Sequence, residues 1–251
     1  MNSLPIYVWV IVLIAVLGTP ATIGVVLWRG AVAAGPSRRS AVQISAAAGI
    51  GWAVWTISSA LLADAHVYRL ESATASPWIG AAVIGAFAMA LLCTRIPVIR
   101  HILATPSVLW QLTLPHTFRL IGIALVAVLA LGKLPAAFAV PAGLGDIAIA
   151  VAAPFVALSL RRGAFGPGAL WFNILGLLDV IVAIVIGFAA GLGPTPLLAV
   201  TPSTEAMTRL PLVLLPTTLV PLVAVLHLVS LATLHKAARS GFVGHPVART
   251  A

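Results

Sequence analysis

Residues 137–160 read "AFAVPAGLGDIAIAVAAPFVALSL" and hold a single ionisable side chain, Asp146. A bilayer core about 30 Å thick is crossed by ~20 predominantly apolar residues in a helix. The run therefore has the length and composition of a membrane span. The aspartate is what needs explaining, because a carboxylate at a helix centre opposes insertion by ~2.5–3.5 kcal/mol.

Six further runs share this character: approximately 4–28, 41–63, 77–95, 116–133, 168–191 and 210–235. Proline, glycine and serine punctuate every break between them. The whole chain of 251 residues is 61% hydrophobic and 8% charged, with mean hydropathy +1.15. So few polar groups cannot cover a soluble domain of this size. The expectation is an all-α integral membrane protein, a seven-transmembrane-helix bundle forming one polytopic domain over 1–251. The first run, through Leu27, has no Lys or Arg ahead of its apolar core and reads as a retained span rather than a leader peptide.

The net charge of +9 does not mark a nucleic-acid binder, because the basic residues lie in pairs between apolar runs and form no continuous face. Their distribution sets an orientation instead. Alternate breaks and the C-terminal tail hold Arg29, Arg38, Arg39, Arg95, Arg100, Arg161, Arg162, Lys236, Arg239 and Arg249. The other side holds Arg69, Lys133 and Arg209, offset by Asp64, Glu71 and Glu205. This predicts the N-terminus outside and the C-terminus cytoplasmic, with a bacterial-type cytoplasmic membrane as the location. Trp28, Trp78, Trp110 and Trp171 fit an aromatic belt. Segment 96–115, with its three prolines, Arg100 and His101, reads as an interfacial segment, with a re-entrant loop as the alternative.

Asp146 has a counterpart. "AGLGDIAIAVA" at 142–152 is echoed by "LGLLDVIVAIV" at 175–185, which carries Asp179 in the next, oppositely running span. Helical spacing places Asp146 beside Gly143, Ala150, Ala153 and Ala157, and Asp179 beside Asn173, Gly176, Ala183 and Gly187. Such small-residue stripes let helices approach closely. Both carboxyls are therefore expected to face protein, not lipid. Inverted repeats around a midplane site are a recurring device of transporters.

A rise of ~1.5 Å per residue from the cytoplasmic ends puts Asp146 at ~21 Å, Asp179 at ~16 Å, His227 at ~12 Å and Arg119 at ~5 Å. This predicts a descending series of ionisable groups. Burial demands partners or protonation, and carboxyls that share a cavity can hold one proton between them. Helix-to-helix bonding is the alternative for the aspartates and the leading expectation for Asn173. For Arg119, snorkelling to the headgroups competes with pairing.

"GLGD" at 143–146 also resembles the Gly-x-Gly-Asp motif of intramembrane aspartyl proteases such as the presenilin and prepilin-peptidase families. That resemblance implies a water-activating carboxyl dyad with Asp179 as the second member. It covers four residues of the chain; in those families the partner aspartate precedes the motif, and no Pro-Ala-Leu segment is present. His227 is read as the only histidine well inside a span, with His116 and His235 near the cytoplasmic interface. No cofactor is predicted, and haem is confined to a disfavoured single axial ligand at His227. No zinc-ligand spacing occurs, and lone Cys93 sets no disulfide. In the last span, Pro216 and Pro221 free the carbonyls of Leu212 and Thr217. Thr217 and Thr218 can repair that break locally; the alternative is a hinge or polar notch above His227.

The functional expectation is proton-linked movement of a small solute, or proton relay, with Asp146, Asp179, His227, Arg119 and Asn173 as site residues. The lipid bilayer is the expected partner. An enzyme using the carboxyls as an acid–base pair on lipid or peptide, and an accessory or lipid-binding subunit, are the alternatives.

Overall fold

The computed structural model describes residues 4–33, 38–69, 78–103, 105, 108–192 and 197–239. Glu71, His245 and Arg249 lie outside the described residues, as do parts of the first, second and last breaks. Among the described residues the chain is helical, without strands.

Helices α1 (Ile6–Ala33) and α2 (Arg38–Asp64) form an antiparallel pair. Next, α3 (Trp78–Cys93) turns by 82° into the short α4 (Pro97–Leu103). A continuous helical run follows, comprising α5 (Leu109–Thr113), a 3₁₀ stretch (Leu114–Ile121) and α6 (Gly122–Ala130). Helices α7 (Ala136–Arg161) and α8 (Pro167–Gly187) form the second long hairpin. A π-helical turn (Leu215–Leu219) leads into α9 (Val220–Arg239). Six of these runs are long and apolar enough to cross a membrane, or seven if the bent α3–α4 pair counts as one.

The fourth run differs from its expected bounds. It begins at Leu109, not at 116. Pro115 lacks the N–H that an α-helix requires there, but it occupies the first turn of the 3₁₀ stretch, so the helix changes type without ending. The 96–115 segment is thereby divided. Its first part is α4, which buries Ile99 and Ile102 and exposes Val98, Arg100 and His101. Trp110 belongs to α5, where the Arg161 guanidinium lies 5.4 Å from its ring.

Side-chain size is distributed inside out. On α7, Ala142, Gly143, Ala150, Ala153 and Ala157 face inward, while Leu144, Val151 and Phe155 point away from the bundle. Small residues at the seam let backbones approach, which matters where the surroundings are as apolar as the core. The run Leu215–Arg239, which contains α9, is the most buried of the six, and α2 is the least.

The freed carbonyls of the last span are met in two ways. Leu212 O accepts from Leu215 N at 3.0 Å. Thr217 O accepts from Trp55 Nε1 of α2 at 2.9 Å, so the repair comes from another helix. The Thr217 and Thr218 hydroxyls instead donate to the carbonyls of Val213 and Leu214.

Candidate functional site

A 3₁₀ helix has three residues per turn, so residues three apart are eclipsed on one face. The 3₁₀ stretch and its flanks therefore align Thr113, His116, Arg119 and Gly122. All four are buried, with Arg119 only 1% exposed. They face α7, α8 and α9, and the arginine becomes the hub of a polar cluster.

Arg119 Nε donates to Asp146 Oδ1 at 2.6 Å. Its Nη2 donates to Asp179 Oδ2. Its Nη1 donates to Gly176 O at 3.2 Å and to His227 Nε2, also at 3.2 Å. Four of the five guanidinium N–H groups are thus engaged. Snorkelling is overturned by this geometry, and so is the descending series. With the helix starting at Leu109, Arg119 lies in mid-helix, and the expected ladder collapses into one layer of directly bonded groups. Both carboxylates bind the same guanidinium from antiparallel helices.

Asn173 fixes the far side of His227. Its Nδ2 donates to Ala169 O at 2.8 Å, which turns its Oδ1 to His227 Nδ1 at 3.0 Å. Nδ1 therefore carries the proton, and Nε2 presents its lone pair to Arg119. His227 is an acceptor for the guanidinium, not a separate step below it. Because both ring nitrogens are engaged, neither offers a lone pair to a haem iron in this arrangement. Asn173 makes the expected helix-to-helix bond, from α8 to α9, and with it orients the imidazole.

His116 is corrected in position. It is fully buried and stacked on His227 at 3.9 Å between centroids, with Phe172 edge-on at 5.6 Å. Neither of its ring nitrogens has a hydrogen-bond partner among the described residues. Depth counted from residue 116 makes this histidine interfacial; the true helix start places it beside the cluster.

Three glycines make room for the charges. A Cβ on Gly145 would occupy the position of the Asp179 carboxylate, and one on Gly176 would overlap the His227 ring. At Gly122 a Cβ would strike Gly143 O and the Asp146 side chain. The Gly-Leu-x-Asp echo thus has a physical basis at Gly176, while in the first copy the adjacent Gly145 receives the opposite carboxylate. The protease-like reading meets a difficulty here, because a water-activating dyad shares a proton between its acids. In this cluster each acid is turned to Arg119.

A cavity of about 40 Å³ adjoins Arg119, Asp146 and Asp179, enough to admit water. Apolar side chains, Phe138 among them, line it together with Met207 of the 3₁₀ turn Thr204–Thr208. Toward the arginine-rich end, beyond the His116–His227 stack, lies an apolar layer of Leu109, Leu160 and Ala169. Asp146 and Asp179 side chains remain 20% and 14% exposed, whereas Arg119 is at 2%.

The fold and site define a helical bundle with runs of membrane-spanning length around a buried Asp–Arg–Asp centre. The chain belongs to the family described as a domain of unknown function, DUF8737, which matches residues 76–235. That range contains every residue of the cluster and omits α1 and α2. No curated protein and no solved structure matches the chain.

Proposed function

We propose that this is an integral membrane protein of a bacterial-type cytoplasmic membrane that moves protons, alone or coupled to a small solute, through the Asp146–Arg119–Asp179 centre. The observation that carries the reading is two carboxylates on one buried guanidinium. With both acids ionised and His227 neutral, the centre has one negative charge in excess. In a low-dielectric interior an uncompensated charge is expensive, and one bound proton cancels it. Protonating one carboxyl also weakens its bond to Arg119, so the guanidinium can release that helix while holding the other. Proton binding is thereby tied to the relative freedom of α7 and α8. The small cavity on one side and the apolar layer on the other give the two routes by which the centre would be reached in turn. His116, whose ring nitrogens have no partner among the described residues, would meet water on the second route.

Seven spans with the N-terminus outside complete the proposal. The exposed Arg29, Arg38, Arg39, Arg95, Arg100, Arg161, Arg162, Lys236 and Arg239 support a cytoplasmic assignment for their end of the bundle.

The test is proton flux in sealed vesicles carrying the purified protein and a trapped pH dye, driven by an imposed potential. Wild type is expected to acidify the lumen faster than empty vesicles, with Asp146→Asn and Asp179→Asn reduced to the empty-vesicle rate. Wild-type flux in both variants refutes the reading.

A further inference from the structure

On the side of α9 away from the Asp–Arg–Asp centre, helices α1, α2, α3 and α9 enclose an apolar recess of about 170 Å³, floored by α4 through Ile99 and Leu103. It shares Pro20, Gly24, Gly49 and Trp52 with a groove of about 530 Å³ that opens between α1 and α2. The Thr94 hydroxyl at its edge is already bonded to Leu91 O at 2.6 Å. Apolar hollows of this kind do not hold water.

Two glycines of α2 sharpen the point. Glycine in mid-helix costs ~1 kcal/mol relative to alanine, and at Gly122, Gly145 and Gly176 a close neighbour uses the space. At Gly49 and Gly51 a Cβ would meet nothing within 4 Å. None of the described residues uses the clearance those glycines provide.

We infer that this recess binds one acyl chain of an anionic phospholipid. Size and charge select that occupant. A helix is ~10–12 Å across with its side chains, too wide for a 170 Å³ recess; a single hydrocarbon chain enters through the α1–α2 groove. At the α3–α4 bend, the exposed Arg95 follows Thr94 of the wall and Arg100 follows Ile99. Arg29, also exposed, stands two residues beyond the lining Leu27. The one described carboxylate of α1 to α4, Asp64, is at the opposite end of α2. The mouth is therefore positive without compensation, and each basic residue near a membrane surface contributes roughly fivefold to anionic-lipid binding.

The inference rests on membrane embedding but not on proton movement, and the experiment separates the two. The full-length protein is extracted gently from membranes, placed in nanodiscs of equimolar phosphatidylglycerol and phosphatidylcholine, and its retained lipid is measured by native mass spectrometry. The expected result is one retained phosphatidylglycerol per chain. Gly49→Leu, which puts a side chain into the groove from a position where a Cβ meets nothing within 4 Å, is expected to abolish retention. Arg95→Gln/Arg100→Gln should keep a lipid but lose its preference for phosphatidylglycerol roughly thirtyfold. No retained lipid, retention unchanged by Gly49→Leu, equal retention of both lipids by wild type, or a dimer covering α2 would each overturn the inference. A chain that fractionates with soluble protein refutes membrane embedding itself.

Discussion

Arg119 is the residue on which the site depends, because it binds two carboxylates, a backbone carbonyl and an imidazole at once. Lysine has one compact ammonium and cannot reproduce that planar fork. Arg119→Lys is expected to destabilise the protein by about 3–5 kcal/mol, the range for breaking a buried ion pair, read as loss of the folded fraction in a denaturant series. Wild-type stability would show that the guanidinium geometry does not matter. Gly176→Ala pushes a methyl group into a ring tied at both nitrogens, for an expected cost of ~1–3 kcal/mol. An unchanged thermal midpoint would contradict the packing described. Asp146, Asp179 and Asn173 were legible from sequence because charge and amide groups in apolar runs stand out, and their spacing assigns a face. Sequence alone sets Arg119 and His116 too near the interface, because Pro115 reads as a helix boundary when it is in fact a change of helix type.

At the scale of elements, the 3₁₀ stretch Leu114–Ile121 and the π turn Leu215–Leu219 are two places where local hydrogen bonding departs from the α pattern, and both adjoin polar groups. The 3₁₀ stretch eclipses His116 and Arg119. The π turn leaves Thr217 O to Trp55, a partner 162 positions away in the chain that no local reading can supply. Trp55→Phe is expected to cost ~0.6–1.7 kcal/mol, between the average and the largest value found for hydrogen bonds between membrane helices. Pro221→Ala restores the helix's own donor to the same carbonyl and should remove most of that penalty in a double-mutant cycle. An additive cycle would mean the indole serves Thr217 O less than the geometry indicates. The long helices were recoverable from hydropathy alone. The 82° break between α3 and α4 was visible only as an accumulation of prolines and charges.

For the whole molecule, the asymmetry of exposed arginines between the two ends implies an orientation that labelling can check. In a Cys93→Ser background, Lys133→Cys is expected to react with an impermeant maleimide from outside intact cells, and Arg162→Cys only after permeabilisation. The reverse pattern would invert the assignment. The charge balance of the centre gives the most direct test. Two acids against one guanidinium call for one proton; one acid against one guanidinium calls for none. Infrared titration of the carboxylic C=O stretch should therefore show one protonatable carboxyl at the centre in wild type and its loss in both Asp146→Asn and Asp179→Asn. A wild-type centre with no such band, or a band surviving in both variants, would contradict the account.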